Sequence, residues 1–495
     1  MSFTEAFRGA KAELGTIHAP IDKLKRIGIY ARIIGAELLA TVQIIPYGIR
    51  SQALYRSIPK IREGTAHQGS ISTARNVRYG PRERNTLDIY LPAGAEIDYS
   101  AIPDIYAPNN PTKIATELAD TTTTTIPNAL PTIHSTSGQL PVVLFCHGGI
   151  WATGEKWHYA PLATRLAQAG IVTAIMSYSL YPTAQAPEMA GEVSQALTWT
   201  LDNISRFGGD SKNITLAGHS AGAQLCAMAL LHRAGSPQEN TIGVAKDNGD
   251  RKKNKEHHRS DLRMPRRFVG MAGVYDIAKH YEYEQARGVH TLSTMERACG
   301  GIPGFDANSP SVILRTLLEK ATRSGSGSTN SGTILEGELF NMKKSPTEKS
   351  TLHNLHGNLL AQRIGLDRPS ISPSFSKKET TFATTTATTM ASPIPANFSL
   401  SQARTLPPTI LQASVSDTTV PWYESADMHW ALHDCGIPSK ALIYNRVGHG
   451  DFVVNWRPLP TPLDVHTTED LDGFAADFVN IVLGEVKDLS YSRKR

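Results

Sequence analysis

The chain alternates between short, continuously apolar runs and longer amphipathic stretches. Five such apolar runs lie at 141–149 (PVVLFCHGG), 171–182, 213–222, 266–277 and 406–421. Each run is typical of a strand that is buried on both faces of a sheet. Three stretches between them have helical spacing and end at or near glycine: 157–170, 186–210 and 221–235. This alternation predicts an α/β fold, in which a mostly parallel, twisted sheet carries helices on both faces.

The same pattern extends to both sides of this region. Residues 78–95 alternate between polar and apolar positions and predict an entry strand. A helix around 425–436, a last strand within 439–452 and a closing amphipathic helix over 471–486 complete the prediction.

Three stretches lose all periodicity, at about 96–139, 236–263 and 316–400. They are rich in Ser, Thr, Gly and Lys, as in TTTTT at 121–125, and such segments cannot bury enough apolar surface to order themselves. We therefore predict disordered loop insertions within one domain of residues 77–490, which follows an N-terminal segment of residues 1–76.

The N-terminal segment contains an amphipathic stretch over residues 21–50. Leu24, Ile27 and Leu38 recur at helical spacing between basic flanks, but Glu37 interrupts the apolar run. A charged residue at the centre of a membrane-spanning helix costs about 2.5–3.5 kcal/mol on insertion scales. Two interpretations stay open: the segment associates with a membrane, or it packs on the surface of the protein itself.

The net charge and the cysteine positions narrow the functional classes to which the protein can belong. The formal net charge of +5 is spread along the chain, which favours a solvated surface over a nucleic-acid-binding face. The four cysteines have neither metal-ligand nor disulfide-framework spacing: Cys146, Cys226, Cys299 and Cys435. The sequence predicts no metal site.

The motif that carries chemistry is G-x-S-x-G, formed by Gly218, Ser220 and Gly222. A serine hydroxyl needs a histidine to accept its proton as it attacks, and the histidine needs a carboxylate to fix its tautomer. Asp417 and His449 each follow a predicted strand, in the chain order Ser, Asp, His of α/β-hydrolases. The sequence therefore predicts Ser220 as nucleophile, His449 as base and Asp417 as the residue that orients the base.

A tetrahedral oxyanion also needs rigid N–H donors. The glycines of HGG at 147–149 follow an earlier strand, where such donors belong, so we predict an oxyanion hole formed by the amides of Gly148, Gly149 and Ala221.

Other residues compete for two of these roles. Asp276 follows the preceding strand, but Asp417 is favoured because its strand comes just before the histidine strand. His433 lies within a predicted helix and is expected at the surface. His147 is expected to brace the HGG loop, and His219 to support the turn at Ser220.

The segments 146–182 (CHGGIWATGEKWHYAPLATRLAQAGIVTAIMSYSLYP) and 203–225 (NISRFGGDSKNITLAGHSAGAQL) resemble the isoprenylcysteine α-carbonyl methylesterases, in the HGG-type esterase branch of the α/β-hydrolases. Further likeness lies in YGPRERNTLDIYLP, HYEYEQARGVHTLSTMERACGG, LPPTIL, SDTTVP and GHGDF. The multi-pass hydrophobic N-terminus of some members is shortened here to one segment.

The resemblance implies an α/β-hydrolase fold and hydrolysis of the C-terminal prenylcysteine methyl ester of prenylated proteins, without a cofactor. It also implies the same triad and oxyanion residues and an endomembrane (endoplasmic reticulum or Golgi) location, with a cytoplasmic one as alternative. Similar motifs occur in kynurenine formamidases and in feruloyl and acetyl esterases. An arylformamidase, a general carboxylesterase and a non-catalytic ligand-binding protein of the same fold therefore stay open.

Four aromatic residues near the motifs are candidates for an apolar acyl or prenyl site: Trp151, Trp157, Tyr159 and Tyr181. Packing in the core is the alternative for each.

Overall fold

The computed structural model describes seven stretches and a few single residues of the 495-residue chain. The stretches are 45–61, 70–95, 139–236, 263–291, 293–325, 397–458 and 473–484, and the single residues are Gly15, Ala19, Pro20, Ile21, Leu24, Ile27, Gly28 and Ile394. The chain divides into two compact units, residues 1–319 with 390–495 and residues 320–389. Only residues 320–325 of the second unit are described, so the account below concerns the first.

Eight strands form one sheet: β1 (Ser72–Arg78), β2 (Thr86–Leu91), β3 (Leu140–Cys146), β4 (Val172–Met176), β5 (Gly209–His219), β6 (Arg267–Met271), β7 (Thr409–Ser414) and β8 (Ser439–Tyr444). Their order is β1-β2-β4-β3-β5-β6-β7-β8, and only the pairs that involve β2 are antiparallel. This is the order and direction of the α/β-hydrolase fold, so the predicted fold class is confirmed.

From β3 onward, at least one helix lies between each strand and the next. Their bounds are α1 (residues 45–57), α2 (Ala160–Gln168), α3 (Ala186–Asn203), α4 (Ala221–Gly235), α5 (Ile277–Arg287), α6 (Met295–Ala298), α7 (Pro310–Gly325), α8 (Leu400–Ala403), α9 (Tyr423–Asp434), α10 (Asp451–Val454) and α11 (Gly473–Leu483). The predicted helix over 221–235 has the bounds of α4. The one predicted over 186–210 ends earlier, at Asn203, and is followed by a 3₁₀ turn that stops at the left-handed Gly208.

Two layers of apolar side chains lie on the two faces of the sheet. Successive residues of β3 alternate between them, with Leu144 in one layer and Phe145 in the other. The first layer contains the buried faces of α3 and α4, and the second contains those of α2 and α11. Burial of each large side chain contributes about 1.5–3 kcal/mol, so both helix layers stabilise the sheet that carries the site.

The start of the sheet differs from the prediction. The alternating stretch 78–95 is not one strand, because it holds the end of β1, a turn and all of β2. β1 begins at Ser72, so the predicted domain boundary between residues 76 and 77 falls inside a strand. The irregular register of β1 between Ala74 and Val77, with Asn76 at φ 57°, breaks the period-two pattern that would have revealed it.

Most of the predicted insertions at 96–139, 236–263 and 316–400 lie outside the described residues. The predicted start of the third insertion, residue 316, is wrong, because residues 316–325 belong to α7. Leu314 and Leu317 on this helix are buried, and this apolar face extends the helix past the predicted boundary.

Of the predicted segment 21–50, only residues 21, 24, 27, 28 and 45–50 are described. Helix α1 is fixed to the rest of the unit by Ser51, which donates to the Trp157 carbonyl over 2.7 Å, and by Tyr55, which donates to Asp88 over 2.8 Å. Ile45 and Ile49 are exposed. Within the described residues, no helix has the length and apolar character needed to span a bilayer.

Candidate active site

Ser220 lies in the sharp turn between β5 and α4. Its backbone has φ 54° and ψ −126°, a conformation that costs a non-glycine residue about 1–3 kcal/mol and persists only where its surroundings impose it. The Ser220 amide donates to the carbonyl of Met271, at the end of β6, over 2.9 Å. Together with the start of α4, this bond holds the serine above the carboxyl ends of the central strands.

The two glycines of the motif are required by close backbone approach. A Cβ atom at Gly218 would lie 2.6 Å from the carbonyl oxygen of Gly222. A Cβ atom at Gly222 would lie closer than 3.0 Å to the carbonyl oxygens of Cys146 and His147. The glycines therefore bring the N-terminus of α4 against the end of β3, where the HGG loop begins.

Asp417 and His449 form a hydrogen-bonded pair, although they come from different loops. Asp417 follows β7, and its Oδ1 accepts from the amides of Thr419 and Val420 over 2.8 and 2.9 Å. Its Oδ2 lies 2.8 Å from Nδ1 of His449 in the loop after β8. Because a carboxylate only accepts, Nδ1 of His449 carries the proton and Nε2 is left as a base.

The carboxylate of Asp417 is fully buried, whereas the side chain of His449 is 19% exposed. Burial alone would raise the pKa of Asp417, but the hydrogen bond and charge of His449 and the two backbone amides outweigh it and hold this pKa below its usual range. The pair therefore consists of an ionised carboxylate and an imidazole that it orients.

The two residues that compete for the carboxylate and base roles, Asp276 and His433, have other partners. Asp276 caps α5, where it accepts from the Lys279 amide over 3.2 Å, and it lies 3.6 Å from the guanidinium of Arg315. His433 lies on α9 beside Asp434, 3.4 Å away. The structure thus pairs His449 with Asp417, the residue that the order of the strands favours.

The loop after β3 lies against Ser220, since a Cβ atom at Gly148 would lie 3.0 Å from Cβ of Ser220. The Gly148 amide donates to the Tyr159 hydroxyl over 3.2 Å, so this donor is already engaged and its predicted oxyanion role is not supported. Among the described residues, the amides of Gly149 and Ala221 have no acceptor. Their role as donors to an oxyanion at Ser220 stays a prediction.

His147 braces this loop, as predicted. Its Nδ1 donates to the Gly148 carbonyl over 2.8 Å, and its ring stacks on Tyr178 with centroids 4.5 Å apart. Burial lowers the pKa of His147 to about 3, so it stays neutral at physiological pH.

The aromatic candidates have structural contacts in this conformation. Trp151 is 2% exposed, and its indole N–H donates to Oε1 of Gln224 over 3.0 Å. Trp157 is half-buried against His158, and the Tyr181 amide donates to the Trp151 carbonyl over 2.9 Å. A role in substrate binding stays a prediction for Trp151, Trp157 and Tyr181.

The sequence did not reveal a buried ion pair that joins α9, the helix after the Asp417 turn, to α5. Glu424, in the first turn of α9, accepts from the amides of Tyr275 and Asp276 over 3.0 and 3.2 Å, and His280 lies 3.1 Å from its other oxygen. No motif marks this contact, because Glu424 is 144 or more residues from each of its partners in sequence. In the described part of the chain, no histidine, cysteine, aspartate and glutamate side chains cluster as metal ligands would.

The chain is similar to one family model and to several named hydrolases. The model of the BD-FAE family matches residues 130–295, which include the HGG loop and the serine motif. The isoprenylcysteine alpha-carbonyl methylesterase of Arabidopsis thaliana is 28% identical over 244 residues, 49% of this chain and 43% of the relative. The kynurenine formamidase of Danio rerio is 27% identical over 174 residues, 35% of this chain and 44% of the relative.

The chain thus spans less than half the length of either relative. Among solved structures, the inhibited esterase B of Lactobacillus rhamnosis matches with a TM-score of 0.46 at 12% identity, over 92% of this chain and 97% of the esterase.

Proposed function

We propose that the protein is a serine hydrolase that cleaves carboxylic esters. The observation that carries the proposal is the 2.8 Å bond between Asp417 and His449 next to the strained turn that presents Ser220. A non-catalytic ligand-binding protein would need neither the oriented base nor the strain at the serine.

The residues define a two-step reaction. Ser220 Oγ attacks the ester carbonyl carbon while Nε2 of His449 accepts its proton. The oxyanion is stabilised by the amides of Gly149 and Ala221 and by the N-terminal end of the α4 dipole. The C–O bond of the leaving alcohol then breaks, and the alcohol takes the proton from His449. Water attacks the acyl-enzyme with His449 again as base, which releases the acid and restores the serine.

We further propose a prenylcysteine methyl ester as the substrate, so that methanol leaves. The support is the likeness to the plant methylesterase, which extends over 244 residues at 28% identity. Arylformamidase activity is the second candidate, because the likeness to the kynurenine formamidase has nearly the same percentage identity over a shorter stretch. A general carboxylesterase is the third.

A substrate comparison separates these candidates. The purified protein is assayed with farnesylcysteine methyl ester, N-formylkynurenine and p-nitrophenyl butyrate, and the three kcat/KM values are compared. The proposal predicts the highest value for the farnesylated ester. Turnover of the p-nitrophenyl ester alone would contradict the prenylcysteine assignment and leave a general esterase.

Association of residues 21–50 with endomembranes is also a proposal. Its support is the exposure of apolar side chains in this stretch, where Ile21, Leu24 and Ile49 are each more than 60% exposed. Cell fractionation with the farnesylated ester as assay tests it: activity in the membrane pellet is the predicted result, and activity confined to the supernatant contradicts it.

A further inference from the structure

We infer that His219 is a positioning residue, which fixes the loop that carries His449 to the turn that carries Ser220. The inference rests on the proposed hydrolase function and adds a second histidine to the residues that this function requires. Sequence alone suggested only that His219 supports the turn at Ser220.

The contact is direct. His219 is the last residue of β5, and its Nε2 lies 3.0 Å from the backbone carbonyl oxygen of His449. A carbonyl only accepts, so Nε2 of His219 carries the proton and donates it. The rings of the two histidines are tilted against each other with centroids 4.7 Å apart.

The position of His449 is therefore fixed at two points. Asp417 holds the imidazole ring at Nδ1, and His219 holds the backbone of the same residue. The loop has further supports on either side, where the Val447 amide donates to Ser414 and the Gly448 amide to Asp451. Among the described residues, the bond from His219 is the one hydrogen bond that joins His449 to the turn that carries Ser220, so it fixes the distance that the proton must cross.

Histidine is a costly residue at this position if stability alone is considered. His219 is 5% exposed, and its Nδ1 is buried with no hydrogen-bond partner among the described residues. An apolar side chain of similar size would avoid this unsatisfied nitrogen. A histidine at position 219 is therefore explained by its contact with the active site and not by packing in the core.

The ring also has to stay neutral. Burial, together with the neighbouring His449, lowers the pKa of His219 to about 3. When His449 accepts the serine proton and becomes an imidazolium, a neutral neighbour adds no like-charge repulsion. His219 therefore positions the base without opposing its protonation.

The test compares two substitutions in the full chain, with p-nitrophenyl butyrate as substrate. His219→Leu removes the donor and keeps the volume. His219→Gln keeps an N–H donor near the position of Nε2. We expect kcat of His219→Leu to fall about 10- to 100-fold, the range for a misplacement of about 1 Å, with KM nearly unchanged. His219→Gln should recover most of this loss.

Thermal unfolding of both variants separates positioning from a structural role. The inference predicts that the Tm of His219→Leu stays close to that of the unsubstituted protein, because removal of the unsatisfied Nδ1 offsets the loss of the donor to the His449 carbonyl. Unchanged kcat in His219→Leu, equal losses of kcat in both variants, or a fall of Tm in parallel with kcat would overturn it. Ser220→Ala is assayed in parallel, because activity that survives there refutes the hydrolase proposal itself rather than the role of His219.

Discussion

Replacement of Asp417 by asparagine perturbs the pair at the centre of the site without a change in volume. Oδ1 accepts two backbone amides, from Thr419 and Val420, so the amide oxygen of the asparagine is held in that place. The amide nitrogen then faces Nδ1 of His449, where the carboxylate oxygen was 2.8 Å away. Since the new group donates, Nδ1 has to accept, and the imidazole proton moves to Nε2, which can no longer act as a base.

The size of the effect follows from the two orientations of the asparagine. The orientation just described puts the imidazole of His449 in the wrong tautomer, and this error lowers kcat about 10⁴-fold in serine proteases with this triad. The reverse orientation keeps the right tautomer but leaves two buried amides facing a donor, at about 1–3 kcal/mol each. The active orientation is therefore about 2–6 kcal/mol higher in free energy, and we predict a fall in kcat of about 30-fold to 10⁴-fold.

The assay is steady-state hydrolysis of p-nitrophenyl butyrate, with KM expected to stay the same because Asp417 is buried behind His449. Asp276→Asn is the matched control: it replaces the competing carboxylate at the N-cap of α5, where asparagine serves as well as aspartate. Asp276→Asn should keep kcat within about threefold, since a surviving cap leaves the fold unchanged. A loss below about fivefold in Asp417→Asn, or an equal loss in both variants, would refute the reasoning.

Two further predictions concern packing and pH. Gly222→Ala places a Cβ closer than 3.0 Å to the Cys146 carbonyl, so it should lower Tm, at a cost of about 1–3 kcal/mol, and lower kcat. Gly191→Ala, inside α3 with nothing within 4 Å, should instead raise Tm; the same sign of change in both would contradict the packing argument. Burial disfavours the charged form of His280, but the hydrogen bond and charge of Glu424 outweigh it and raise the pKa of His280. This stabilisation is complete below the unfolded pKa of about 6.5 and is lost as pH rises through the folded value. The unfolding free energy of His280→Gln should therefore approach that of the unsubstituted protein as pH rises above about 6.5, and a difference that stays constant with pH would exclude the effect.

The central strands and helices could be predicted because each lies in a regular environment. Residues 141–146 are apolar throughout, as a strand covered on both faces requires, and they form all of β3 except its first residue, Leu140. The stretch 221–235 starts at the motif and ends at Gly235, so its bounds as α4 could be read directly. The entry strand predicted over 78–95 contains β2 but only the last residue of β1, because the irregularity at Asn76 removes the alternation that would reveal β1.

Only those features of the site that follow from the order of the strands along the chain could be predicted. Asp417 was preferred to Asp276 from the order of strands, and the structure pairs it with His449. The engagement of the Gly148 amide by Tyr159 was missed, because the contact depends on how a helical turn folds back over the loop. No local signal in the sequence reports such a contact.

Covalent labelling of Ser220 tests the central claim most directly. The purified protein is treated with a fluorophosphonate, and the modified peptide is identified by mass spectrometry in parallel with a Ser220→Ala variant. The account predicts stoichiometric modification at Ser220 and none in the variant. An unlabelled protein, or a label that persists in Ser220→Ala, would contradict it.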